Sequence, residues 1–362
     1  MKNFYKNKNV FITGHTGFKG GWLTEILHLW GANVCGYSLP AEGKDNFFNA
    51  LNIGSKCEHI TGDLRDYEAL KTALLNAQPD IIFHLAAQPI VRTSYQIPVE
   101  TFTVNTMGTA NLLQALRSVN KRTEAVLITT DKVYKNLENG RAYQENDPLG
   151  GYDPYSASKA SAEIVIQSFG LSFFNPAKFN EHKKSIVSVR AGNVIGGGDW
   201  AADRLLPDMM RAMHKGETVV LRNPAAVRPW QHVLEPLTGY LLAAKMQYEN
   251  PLNVSNAYNF GPDPQDVLTV EQIAKAANIP YTVMKDENSP HEANLLQLDI
   301  TRAKKELGFK PQLSATEAVA KTVEWYRTYY AESTGNSNDR TVKLTERQIS
   351  EYFASCEAMP TL

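Results

Sequence analysis

Val10-Phe11-Ile12-Thr13-Gly14-His15-Thr16-Gly17-Phe18-Lys19-Gly20 is the stretch on which the reading of this chain turns. An apolar run ends in glycines spaced GxxGxxG. Leu23, Ile26, Leu27 and Trp30 then repeat at helical spacing up to Gly31, a residue suited to stop a helix. Glycines in a strand-to-helix turn permit a tight bend and let a pyrophosphate approach the amides of the helix N-terminus. The spacing alone is a weak signal, but its place between a strand and an amphipathic helix is the context a dinucleotide site needs. Gly14, His15, Thr16, Gly17, Phe18, Lys19 and Gly20 are therefore expected to line a dinucleotide cofactor.

Outward from this turn, short apolar runs at residues 10–13, 33–37, 59–61, 80–85, 125–129 and 186–189 alternate with helical patterns. The runs are rich in β-branched residues and nearly continuous, as strands buried on both faces of a parallel sheet should be. The rhythm predicts an α/β fold, a Rossmann-type doubly wound parallel sheet with a smaller C-terminal α/β substrate-binding domain. Residues 1–190 form the expected cofactor domain, with 233–262 returning to it. Residues 191–232 and 263–332 form the second domain, and 333–362, which begin STGNSNDR, read as a tail with one terminal helix. Thr269 with Gln272 and Ser314 with Glu317 fit capping boxes.

The 362 residues are 43% hydrophobic and 21% charged, which excludes a disordered or fibrous chain. Lys+Arg 37 against Asp+Glu 38 leaves a net charge of −1, so no nucleic-acid or anionic-membrane partner is expected. Apolar runs fall short of the roughly 18 residues of a membrane span, and the basic N-terminus precedes no signal-peptide core. Three cysteines, Cys35, Cys57 and Cys356, suit neither a disulfide framework nor a zinc site. A cytoplasmic protein without a metal is the expectation.

Two further patterns carry chemistry. The second strand ends Tyr37-Ser38-Leu39, with no acid for an adenosine ribose and no Arg for a 2′-phosphate; of the two nicotinamide cofactors this favours NAD, held without a strong ribose anchor. Asp63 could bond the adenine or be an ordinary turn residue. Tyr155 and Lys159 lie one turn apart on a helix that Asp153 caps and Pro154 opens. A phenol with its usual pKa near about 10 is a poor base at neutral pH, and a nearby ammonium and a cationic nicotinamide would make it a better one.

TGHTGFKG, GDL, HLAAQ, Asn105-x-x-Gly108-Thr109 and YSASK together resemble the extended branch of the short-chain dehydrogenase/reductase family, which acts on nucleotide-sugars. The resemblance covers about residues 9 to 330. It implies NAD as cofactor and adds Leu64, Leu85, Ala86, Ala87 and Thr129 to its contacts. It also implies a homodimer or higher oligomer built on helices near 98–119 and 154–169. After the fifth strand come Thr130-Asp131-Lys132, where simple 4-epimerases lack an acid/base pair and sugar-nucleotide 4,6-dehydratases carry one, typically Asp-Glu. Asp131-Lys132 is similar to the variant in enzymes that act on CDP-glucose, and the segments 190–200 and 228–233 agree.

The implied roles are Tyr155 as base, Thr130 as its partner, Asp131 as acid, Lys132 as base or electrophile, and Lys159 as holder of ribose and phenolate. The implied contacts of a nucleotide diphosphate-sugar are Arg204, Arg228 and Asn193, with Gln88 and Ser94 as weaker candidates. The resemblance further implies production of a 4-keto-6-deoxy sugar for surface polysaccharide, such as the O-antigen of lipopolysaccharide. A dTDP- or GDP-hexose dehydratase and a 4-epimerase remain alternatives.

Overall fold

The computed structural model describes the chain except for residues 138–139, 203, 222, 285–295, 333–338 and 359–362. Seven strands form one sheet: β1 (Asn9–Thr13), β2 (Asn33–Ser38), β3 (Glu58–Thr61), β4 (Ile81–His84), β5 (Thr123–Ile128), β6 (Lys184–Ala191) and β7 (Ala257–Phe260). Their order is β7-β6-β5-β4-β1-β2-β3, and every pairing is parallel. β4 and β5 are buried along their whole length, as their unbroken apolar runs require. The strand order reverses between β1 and β4, and ligands of such sheets bind where the loops diverge beyond those strand ends.

Helices cover both faces. α1 (Phe18–Leu29) follows β1, α2 (Gly108–Leu116) and α3 (Pro154–Ser172) pack together, and α4 (Leu234–Glu249) lies against β5 and β6. The stretch expected as one helix from 98 begins as Pro98–Phe102, widens into a π-helical turn at Thr103–Met107 and continues as α2. That turn buries Asn105, whose amide bonds the Gln88 carbonyl at 3.1 Å and Ser158 Oγ at 2.9 Å. Paired strands 194–195 with 231–232, 227–228 with 268–269, and 219–221 with 281–283 build the region beyond β6.

The C-terminus differs from a tail. Residues 333–338 lie outside the described residues, but α6 (Asp339–Ala358) packs along α5 (Ala315–Glu332) and enters the main core through Leu344, Ile349, Tyr352 and Phe353. Phe353 meets Trp30 of α1 at 4.7 Å between ring centroids. Polarity hides this helix from a hydropathy reading, because Thr341, Thr345 and Gln348 on its buried face are hydrogen-bonded rather than apolar. Among the described residues no helix is long and apolar enough to cross a membrane.

Candidate active site

The turn after β1 is held by backbone fit. Gly14 has φ +81°, and a Cβ there would lie 2.7 Å from the Ala86 amide nitrogen in the loop after β4. A Cβ on Gly20 would meet the Gly14 carbonyl oxygen at 2.0 Å, so any side chain would push α1 off the turn. Gly17 caps α1 with no side-chain bond, and the first turn carries no acid. Such a helix start presents its free amides and dipole to an anion. The cradle therefore fits a dinucleotide pyrophosphate, with Leu85, Ala86 and Ala87 as its facing wall.

Several expected cofactor contacts need correction as side chains. The His15 ring lies in a slot that only Gly36 leaves open, since a Cβ there would reach it at 2.3 Å. Its Nε2 bonds His59 Nδ1 at 2.6 Å, and burial, then His59, lowers its pKa to about 4. Thr16 spends its hydroxyl on Ser38 Oγ (2.7 Å) and the Leu39 carbonyl (2.9 Å). Leu64 is buried in the core under β2 and α2. Asp63 is gripped by Arg65 at 2.5 Å, which holds its carboxyl below the usual range and competes with any adenine. The Thr129 hydroxyl turns inward to Glu163 Oε1 at 2.5 Å, away from a cofactor.

The reactive groups converge where β5 ends. Thr130 caps a short turn, Asp131–Val133, and its Oγ1 donates to Asp131 Oδ1 at 2.9 Å. The Tyr155 hydroxyl bonds the same Thr130 side chain. Burial pushes the Tyr155 phenol up to about 12; Thr130 and Arg204 pull it down and Asp131 pushes it up. Tyr155 and Asp131 are 8% and 4% exposed, so little water competes for their protons. Lys159 donates to the Ile128 carbonyl at 3.0 Å, and burial together with Lys19 lowers its pKa to about 8 while Glu163 raises it. Lys132 is half-buried on the turn beside Asp131.

Around this centre, Arg204 binds Asp199 at 2.7 Å and acts on Tyr155 electrostatically. Asp131 Oδ2 would be 3.1 Å from a Cβ on Gly192, so the missing side chain leaves that oxygen open. Gly192 lines a cleft with Pro229, Gln231, Gly261 and Leu298, and Asn193 and Arg228 flank its segments. Gln88 and Ser94 are not offered to a sugar. Ser94 Oγ is fully buried, donating to Val91 O (2.6 Å) and accepting from the Tyr155 amide (3.1 Å). Gln88 bonds Thr101 Oγ1 through its amide and Ile90 N through its oxygen.

The sequence reading missed three residues. Lys19 reaches past the glycine turn, where Arg204, Asp131 and Asp199 all act on its ammonium; burial and Arg204 lower it to about 8. Glu163 and Arg190 form a buried pair behind Lys159, Arg190 Nε to Oε1 and Nη2 to Oε2, both 2.9 Å. A Glu one turn beyond Lys159 and an Arg inside an apolar strand were the available signals, since a charge there needs a partner.

The family profile described as GDP-mannose 4,6 dehydratase matches residues 11–322. The chain belongs to that family, a branch of the extended short-chain dehydrogenases/reductases. It is 44% identical over 98% of both chains to a CDP-glucose 4,6-dehydratase of Salmonella typhimurium. It is 24% identical to a CDP-paratose 2-epimerase of Salmonella typhi over 87% of this chain and 98% of that one. Among solved structures it resembles a dTDP-glucose 4,6-dehydratase of Streptomyces venezuelae with NAD bound, with a TM-score of 0.72, 23% identity and 88% and 96% of the chains covered. It also resembles a UDP-glucose-4-epimerase of Stenotrophomonas maltophila with NAD bound, with a TM-score of 0.76, 20% identity and 91% and 99% covered.

Proposed function

We propose that the protein is an NAD-dependent CDP-glucose 4,6-dehydratase, a hydro-lyase that forms CDP-4-keto-6-deoxy-D-glucose and water. The observation that carries this reading is the buried Asp131 carboxyl bonded to the same threonine as the Tyr155 phenol. A 4-epimerase needs a base at C4 but no acid beside it, whereas a dehydratase must also protonate a departing 6-hydroxyl. The full-length 44% identity to a CDP-glucose enzyme supports the nucleotide choice over dTDP or GDP.

When bound, NAD supplies a reversible hydride acceptor, so that C4 is oxidised and C6 reduced without net redox change. Tyr155 takes the C4 hydroxyl proton, and Thr130 holds the phenol in place. Lys159, fixed on the Ile128 carbonyl, is placed for the cofactor ribose and keeps positive charge near the phenolate. The 4-keto group acidifies C5–H. Lys132 removes that proton or polarises the ketone, and Asp131 protonates the departing 6-hydroxyl. Arg204 and Arg228 supply guanidinium donors for the diphosphate. Burial of the reacting groups keeps water from the unsaturated ketone.

Exposed Val99, Met107, Ile164 and Leu171 on the two packed helical segments support a homodimer through that face. A 4-keto-6-deoxy product fits supply of a deoxysugar to surface polysaccharide, made in the cytoplasm. The decisive experiment incubates the protein and NAD with CDP-, dTDP-, UDP- and GDP-glucose and weighs the products. Loss of one water from CDP-glucose above the other three is expected. Isomerisation without mass change would make it an epimerase instead.

A further inference from the structure

The proposed dehydration leaves a proton to dispose of. Tyr155 takes a proton from the C4 hydroxyl, and the product keeps a ketone at C4, so the phenol cannot hand that proton back. An epimerase returns it at the end of each turnover; a dehydratase must send it elsewhere. One step later, the departing 6-hydroxyl needs a proton.

The hydrogen bonds at the end of β5 have a direction. Asp131 accepts at Oδ1 from Thr130 Oγ1, 2.9 Å away, so the single Thr130 proton points at the carboxylate. The bond between Thr130 and Tyr155 must then be donated by the phenol. The second incoming contact, from the Lys132 amide at 3.4 Å, is also compatible only with Thr130 as acceptor. The result is a one-way chain, Tyr155 to Thr130 to Asp131. Its far end is the other carboxyl oxygen, Oδ2, which faces the open side left by Gly192 and the cleft that Gly192 lines. All three side chains are more than nine-tenths buried, Thr130 at 6% exposure, so the path runs apart from bulk water.

We propose that Thr130 is a proton relay, which carries the proton that Tyr155 takes from the C4 hydroxyl to Asp131, and that this proton leaves as part of the eliminated water. This rests on the dehydratase reading and deepens it. The step balances within the site. Removal of the C5 proton by the base gives the electron pair that forms C5=C6 and breaks C6–O. Asp131 gives a proton from Oδ2 to the leaving oxygen, which departs as water. Thr130 reloads the carboxylate at Oδ1 and is itself reloaded by Tyr155, which becomes a phenolate again. The base later returns its own proton to C5. No proton is drawn from solvent, and the phenolate is regenerated for the next substrate.

Single-turnover mixing of the NAD-loaded protein with CDP-glucose tests this, with separate rate constants for the rise and the decay of the bound-NADH absorbance and with product mass measured in parallel. Thr130→Val severs the relay with little change of shape, and Thr130→Ser keeps it. In Thr130→Val the decay constant should fall about 100-fold or more. It should also fall about tenfold for each pH unit above neutrality, because Asp131 must then draw its proton from bulk. Thr130→Ser should decay at nearly the parent rate with a flat pH profile. If Thr130 only orients the phenol, the rise constant drops while the decay constant stays at the parent value at every pH, and the relay is wrong. A parent protein that leaves CDP-glucose unchanged in mass, or isomerises it, defeats the dehydratase reading itself and is recognised before any variant is made.

Discussion

Glu163 and Arg190 clasp each other through two parallel 2.9 Å bonds at 0% and 1% exposure, directly behind the lysine of the active site. Glu163 also accepts from Thr129 and from Ser188 (2.8 Å), and Arg190 donates to the Tyr134 hydroxyl (2.7 Å). One pair thus ties β5, β6, the turn after Asp131 and helix α3 together. Burial alone would raise the Glu163 carboxyl, but Arg190 with Thr129 and Ser188 holds it below the usual value.

Removing one member of such a pair leaves a bare charge inside. Glu163→Gln should destabilise the fold by about 3–5 kcal/mol, and Glu163→Gln with Arg190→Met should recover much of that loss. Urea unfolding of the single and double variants checks this. Equal stability of both variants would mean that the charge left on Arg190 is not what costs the single variant.

Asp131→Asn keeps an acceptor for Thr130 but cannot supply a proton. Bound NADH should still form from CDP-glucose, and C5–H should exchange with deuterated solvent, while release of product falls by about 10²–10⁴-fold. Asp131 also raises the Tyr155 pKa, so its neutralisation lowers that value. The pH at which NADH formation sets in should therefore move downward. An upward move, read from the rise of absorbance against pH, would contradict the electrostatics described.

Lys132→Met should behave differently at C5. It should form bound NADH and release little 4-keto-6-deoxy product. If Lys132 is the base, it should also lose C5–H exchange. Retained exchange would assign Lys132 to the ketone oxygen, and dehydration at the parent rate would make it a bystander.

The cofactor turn, the six strands up to β6 and the Tyr155–Lys159 spacing were legible because backbone fit and burial leave a local imprint on composition. What escaped was set by distance in the chain. Nothing near Ser94 announces that it caps the Tyr155 amide, and nothing near Thr129 announces a carboxylate 34 positions later. His15 sits inside a motif read as phosphate-binding, yet Gly36 and His59, far along the chain, decide where its ring goes. Helix α6 was read as part of a tail because its buried face is half polar.

That helix is joined to the body by a titratable group. Glu235 on α4 accepts from the Tyr352 hydroxyl (2.7 Å) and from the amides of Gln312 (2.9 Å) and Leu313 (2.8 Å). Burial, opposed by these bonds, pushes its pKa up to about 7. In the unfolded chain this carboxyl sheds its proton near pH 4.5, while in the folded protein it holds it until about 7. Stability from this group is thus greatest below the unfolded value and is lost as pH rises through that window. Melting temperature plotted from pH 5 to 8 should slope down less in Glu235→Gln than in the parent. Parallel curves would remove Glu235 as the cause.

Strand β7 comes from residues 257–260, and the core is closed by the last twenty-residue helix. On a ribosome, the edge of β6 that carries Arg190 therefore waits unpaired until some seventy further residues have emerged, and Trp30 waits for Phe353 until synthesis is almost over. A chain stalled or clipped before α6 exposes aromatic surface over the cofactor half. Cells that make this protein must shelter it until its final residues arrive, and its acquisition of structure is a late, all-at-once event rather than a progression from its N-terminus.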